Sequence, residues 1–369
     1  EGSIELNLNS SKKWIADIDF IGKGKNKEIL NLLNNHPINV SEKFILNPNN
    51  ITGKSTSRVV LNFPVRLDLT LEELNFAAIS NLSNFGIKDL VNGVDLTNAD
   101  MELKITKNKL TANGGGNLNN IPVKINWNQL LNSNEEVDVK IEGLVSSKNL
   151  ESFNLEFLKM IDGEVLFNFN GKIVKNKISN AEVFLDLYKS KIDLDYFNYV
   201  KEYNKPATIK FNYRNSEKFS IFEKFEYNSN DIVIYGDAEI NESLELVRLD
   251  VEKFISPLND ISFSIRKKRP KGYLVAVNGN NLYAENYVKK FLDSELKFNF
   301  PEIKLFIQVN KMQFTKNQFL TNSKTEIEYN GNQIESLKST GKLNDEGHII
   351  AKIITKNKKD KYFLIHTKN

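Results

Sequence analysis

The sequence has no cysteine and only three histidines. Without cysteine there is no disulfide framework, no thiolate metal site and no sulfur nucleophile. His36, His348 and His366 stand apart, with no second histidine or carboxylate at ligand spacing on a helix. A metal set or a nucleophile with its base therefore cannot be assembled, each histidine reads as a surface or loop residue, and no enzyme is expected. Charge of one sign is also missing: 50 basic against 47 acidic residues leave +3, too balanced for a dedicated nucleic-acid binder. Long hydrophobic runs are absent too. The longest, Tyr273 to Val277, falls far short of the roughly 18 to 20 residues of a spanning helix. Proline is scarce, 8 in 369 residues, so little interrupts a strand.

What fills the chain is a period-2 alternation that recurs from end to end. Met101, Leu103 and Ile105 alternate with Glu102, Lys104 and Thr106, and Val123, Ile125 and Trp127 with Lys124 and Asn126. The pattern returns at Val137, Val139, Ile141; Val183, Leu185, Leu187; Ile209, Phe211, Tyr213; Ile261, Phe263, Ile265; and Ile303, Leu305, Ile307, Val309. Successive strand side chains point to opposite faces, so each run predicts a strand with one apolar and one polar side. Asn-rich and Gly-rich spacers such as Gly114 to Gly116 read as turns. Further strands are expected over Val65 to Leu71, Ala181 to Tyr188 and Leu296 to Phe300, with short helices over Asn26 to Asn34 and Glu285 to Leu292. The close spacing of strands predicts antiparallel meanders rather than crossovers. The fold class is all-β with one or two short helices. The chain reads as one continuous segment, 1–369, with a weak candidate subdivision near 145–160.

Local motifs add little chemistry. Thr52, Gly53, Lys54 and Ser55 imitate the end of a phosphate-binding loop, but Pro48 stands where its first glycine belongs. Asp17 with Asp19, and Asp193 with Asp195, share a strand face and read as solvated residues rather than catalytic dyads. Asn50, Asn81 and Asn241 begin glycosylation-type triplets, which an Asn-rich chain produces by chance. The basic clusters Arg266 to Lys271 and Lys356 to Lys361 read as solvated turns that are also able to touch anionic head groups.

Particular residues carry a resemblance beyond the pattern. The stretch from Pro37 through Pro48, Gly53 and Arg58 to Phe63, Pro64 resembles the AsmA-like family, in the branch of the YhdP-type and TamB-type proteins. Val94, Leu96, Thr97, Met101 to Ile105, a hairpin through Gly116, Asn117, Leu118, and Ile121, Pro122, Val123 leading to Trp127 continue it. Lys205, Pro206 after Tyr199 to Tyr203 is similar to a lysine-proline step of that family. So is Gly279, Asn280, Asn281, Leu282, Tyr283, Ala284 before a short helix, with Tyr283 where an acid is usual. The ordered motifs span about Ile4 to Ile354.

The resemblance implies a long, curved, mostly antiparallel β-sheet, taco-like in section, whose apolar side is a groove for acyl chains. It implies non-enzymatic phospholipid transport between the inner and outer membranes of a Gram-negative bacterium, with no cofactor. The chain, which opens on Glu1, is then a periplasmic piece of a longer protein. Its inner-membrane anchor lies outside it, and its partners are phospholipids and outer-membrane or periplasmic proteins, with no nucleic acid. The expected groove lining is Met101, Leu103, Ile105, Val123, Ile125, Trp127, Val183, Leu185, Leu187, Ile261, Phe263, Ile303, Leu305 and Ile307. About 20 strands at about 4.8 Å would extend on the order of 100 Å. An acyl chain in water costs about 0.8 kcal/mol per exposed CH2, so an apolar trough holds tails without specific polar contacts. The alternative is a structural or adhesive extracellular protein of packed β-sandwich domains, in which the same apolar faces are dry core.

Overall fold

The computed structural model describes residues 1–33, 47–70, 73–91, 93–131, 136–151, 160–194, 199–292, 301–355 and 361–368. His36 and the strand expected over Leu296 to Phe300 lie outside them. The chain is all-β, with 23 strands among the described residues, in open, mostly antiparallel ladders that do not close into a barrel. It divides into two compact units: Glu1–Leu155 with Glu164–Val183, and Glu156–Gly163 with Phe184–Asn369.

Unit 1 is a meander. β1 (Gly2–Leu8), β2 (Trp14–Lys25), β3 (Ile51–Pro64), β4 (Asn75–Val91), β5 (Val94–Thr106), β6 (Lys109–Leu118), β7 (Ile121–Leu130), β8 (Glu136–Ser146) and β9 (Ile161–Val174) each pair antiparallel with the next. β10 (Lys177–Asp186) follows through a turn at Lys175 and Asn176, and Asn119 and Asn120 join β6 to β7. Both residues of each turn have positive φ, the backbone that matches the twist of a two-residue hairpin. Helix α1 (Asn26–Leu33) leaves β2 and brings Leu30 into the hydrophobic cluster of the unit. α2 (Ser147–Glu151) is a single turn that the alternation did not signal.

In unit 2, β11 (Ser190–Leu194) pairs with Ile161–Gly163 and with β12 (Tyr199–Lys201). A second meander then runs through β13 (Ala207–Asn215), β14 (Phe219–Ser229), β15 (Val233–Asn241), β16 (Leu246–Ile255), β17 (Asp260–Lys267) and β18 (Tyr273–Tyr283). Here the expectation of meanders alone fails. β18 pairs in parallel with β19 (Ile303–Gln313), because the intervening chain, with α3 (Glu285–Leu292), is long enough to return to the same end of the sheet. Antiparallel pairing resumes through β20 (Phe319–Tyr329), β21 (Ile334–Leu343), β22 (Gly347–Thr355) and β23 (Lys361–Lys368).

Two further expectations are corrected. Val65 to Thr70 form no strand. Pro64 ends β3, Arg66 reaches Asp68 and Glu73, and Glu73 accepts from Thr70, so these polar residues close a loop rather than face across a ladder. Leu67 is left fully exposed. Gly114 to Gly116 are not a turn but the centre of β6. A Cβ on Gly114 would stand 2.2 Å from the Asp100 carbonyl oxygen, and one on Gly116 2.7 Å from Ala99 Cβ. Glycine is needed there because the neighbouring strand comes too close for any side chain.

Candidate functional site

Cross-strand partners lie on the same side of a sheet, so the register sorts every strand residue to a face. In unit 1 one side reads Leu82, Met101, Gly114, Ile125, Ile141, Phe169 from β4 to β9, and the next row reads Leu103, Ala112, Trp127, Val139, Gly171 from β5. The other side reads Asn81, Glu102, Asn113, Asn126, Lys140, Asn170. The unit is therefore apolar on one face and polar on the other. Ile105 falls in the row of Ala78, Leu110, Gln129 and Val137, apolar except for Gln129, and Val123 in that of Gly116, Gly143 and Phe167.

Unit 2 repeats the arrangement with larger side chains. One row takes a residue from each strand, β13 to β23: Tyr213, Phe222, Ala238, Leu249, Ile265, Val275, Leu305, Ile327, Leu337, Ile353, Phe363. All are apolar or aromatic, and none is fully buried. Phe263 and Ile307 share the adjacent row through Val277, and Ile303 sits between Tyr273 and Tyr329. Towards the other end of the strands the face closes, with Phe254 retaining 1% of its exposure and Ile261 and Val309 buried. Tyr227, in that closed strip, hydrogen-bonds Tyr199, and burial pushes its phenol far above the ordinary value.

The opposite face of unit 2 runs Glu239, Arg248, Arg266, Leu274, Lys304, Glu328, Ser336. Its charges pair across strands: Arg248 with Glu239 at 3.0 Å, Arg266 with Asp250 at 2.5 Å, Lys304 with Glu328 at 2.9 Å. The Lys304 ammonium holds the Glu328 carboxyl below its ordinary value. Such exposed pairs set register more than they stabilise.

Of the expected lining residues, Met101, Leu103, Ile105, Val123, Ile125 and Trp127 share the apolar face of unit 1, and Ile261, Phe263, Ile303, Leu305 and Ile307 that of unit 2. Val183 and Leu185 are half-buried on β10. Leu187 is placed differently. It lies past the end of β10 in the turn to β11 and is fully buried, its carbonyl accepting from Ser190 and the Lys201 ammonium. The expected lining did not include Phe222, Phe225, Ile327 or Leu337. A β-bulge hides β14, since Phe222 and Phe225 share a face although three residues apart. The same device recurs in both units with the same support. The N–H of Lys224, at positive φ, donates to Asp237 Oδ1 at 2.7 Å, and that of Asn84, also at positive φ, to Asp100 Oδ1 at 3.0 Å.

Among the described residues no helix is long and apolar enough to cross a membrane, and no three metal-ligating side chains group together. No family model matches the chain, and neither a curated protein nor a solved structure matches it.

Proposed function

We propose that the chain is a segment of a non-enzymatic phospholipid conduit of the AsmA-like kind, with acyl chains lying along its apolar faces and head groups in water. The observation that carries this reading is the unbroken apolar and aromatic row from Tyr213 to Phe363, in which every residue keeps part of its exposure, from half-buried along the row to exposed on the last strand at Phe363. A packed sandwich buries such mid-strand positions against a second sheet. A partly exposed apolar strip of that length costs free energy in water, and an aliphatic ligand that covers it gains about 0.8 kcal/mol per CH2 buried. The ordered residues resembling the AsmA-like family give the setting: a Gram-negative periplasm, lipid moving between inner and outer membranes, and a membrane anchor supplied outside this segment.

A second reading has its own support. Val139 and Ile125, in the middle of the apolar face of unit 1, keep 2% and 6% of their exposure, which is what a dry core in a structural or adhesive β-protein would give. A lipid-loading measurement separates the two. Protein mixed with phospholipid vesicles, re-isolated and extracted should carry phospholipid, and Leu305→Asp, folded by circular dichroism, should carry little. A lipid-free wild-type protein would favour the dry core.

A further inference from the structure

A cleft of about 520 Å³ opens in unit 1 between β2, β3, β4 and the start of α1, lined by Lys23, Lys25, Lys54, Thr56, Ser83 and Glu28 together with Gly24 and Ser55. The register puts Lys25 directly opposite Lys54, Lys23 opposite Thr56, and Lys54 opposite Ser83, all on the polar face. Like charges directly opposed across a ladder destabilise it. Elsewhere on this face cations meet acids: Arg58 binds Asp19, Lys104 binds Glu102, and Lys172 binds Glu136. In the cleft, Glu28 lies 3.4 Å from Lys25. Neither Lys23 nor Lys54 has an ion-pair or hydrogen-bond partner among the described residues, and the hydroxyls of Thr56 and Ser83 are equally unengaged there.

Two free ammonium groups and two free hydroxyls on one wall form a multi-donor set. We propose that this cleft binds a phosphate group, as a mono- or diester. A carboxylate presents two oxygens in one plane, whereas a tetrahedral phosphate presents several oxygens in different directions, which suits donors spread over three strands. Its negative charge offsets the unpaired ammonium groups of Lys23 and Lys54. The phosphate can belong to a lipid head group or to a free metabolite. The proposal stands on this geometry alone and does not depend on acyl chains occupying the apolar face.

The test compares wild type, Lys23→Gln/Lys54→Gln and Lys23→Arg/Lys54→Arg. Each is assayed by flotation with phosphatidylcholine vesicles with and without phosphatidylglycerol, and by calorimetric titration with inorganic phosphate. A head-group site predicts preference for the phosphatidylglycerol vesicles, weakened on the order of tenfold in the glutamine variant and kept in the arginine variant. A site for free phosphate predicts no vesicle preference but a phosphate titration that the glutamine variant loses. The glutamine variant should unfold at the same or a higher denaturant midpoint, because the repulsion is gone. Wild type with neither response, or a glutamine variant that binds as wild type does, overturns the proposal. Lipid loading through Leu305 is expected to be unchanged in the variant, so failure here and failure of the conduit reading give different results.

Discussion

In unit 1, burial is scattered through the apolar face, so that Met101, Ile125, Val137, Val139 and Ile173 are buried while Leu103, Ile141 and Phe169 beside them are not. In unit 2, burial sorts along the strands, with Phe254, Ile261 and Val309 closed at one end and the row through Leu305 half-open towards the other. The difference traces to small residues. Unit 1 places Ala99, Ala112, Gly114, Gly116, Gly143 and Gly171 on its apolar side, and large neighbours lean over the gaps. Atoms of the Phe167 and Phe169 rings lie 2.6 and 2.7 Å from where a Cβ on Gly143 and Gly171 would stand, and Met101 Cγ lies 2.8 Å from that of Gly114. The row through Leu305 has only Ala238 as a small residue, and none of its side chains is fully buried. One two-faced ladder thus gives a closed surface or an open one, depending on whether large residues have small ones to cover.

The widest separation between the units should come from buried charge. Val139→Asp puts a carboxylate into a closed apolar cluster and is expected to cost more than about 4 kcal/mol, whereas Leu305→Asp keeps its carboxylate hydrated and should cost under about 1.5 kcal/mol. Urea unfolding measures both, and equal costs would mean that the face of unit 2 is as dry as that of unit 1. A smaller, shared effect is expected where strands approach closely. A Cβ at Gly114 or at Gly236 would stand 2.2 Å from a carbonyl oxygen, of Asp100 and Asp250 respectively. Alanine at either should cost about 2 kcal/mol, and a neutral result at one would show that close approach shapes only the other unit. Smaller again is the bulge support. Asp100→Ala and Asp237→Ala each remove the acceptor of a positive-φ N–H and should lower stability by about 1 kcal/mol.

The smallest expected effect is electrostatic and confined to unit 1. The hydrogen-bonded Arg58 guanidinium holds the Asp19 carboxyl below its ordinary value of 3.8. Because the folded value is the lower one, the pair's stabilisation is present above the ordinary value and is lost as pH falls through the lowered one. The urea midpoints of wild type and Asp19→Asn should therefore differ slightly at neutral pH and converge in acid. A gap that persists in acid would assign the effect to something other than this ion pair.

The alternation was a sufficient guide to the faces of β5, β7, β17 and β19, because each runs several residues without a bulge on the side that counts. It was a poor guide to β14, the first half of β20 and the far ends of β4 and β5. There a positive-φ residue such as Lys224, Asn322, Asn84 or Asn98 shifts the face by one residue and breaks the period. The glycines of β6 misled for a related reason: a residue that marks a turn in isolation marks close strand approach when its neighbours are paired on both sides. The lysine cleft was illegible because it depends on register. Lys23, Lys25 and Lys54 are unremarkable until β2 and β3 place them side by side.

The central claim, that the open row of unit 2 holds acyl chains, is tested most directly by photo-crosslinking probes at Val275, Leu305, Leu274 and Lys304 in cells. Leu274 is the decisive control, since it is apolar and exposed yet lies beside Lys304 on the polar face. The account predicts phospholipid captured at Val275 and Leu305 and not at Leu274 or Lys304. Equal capture at all four positions, or none at Val275 and Leu305, would contradict it.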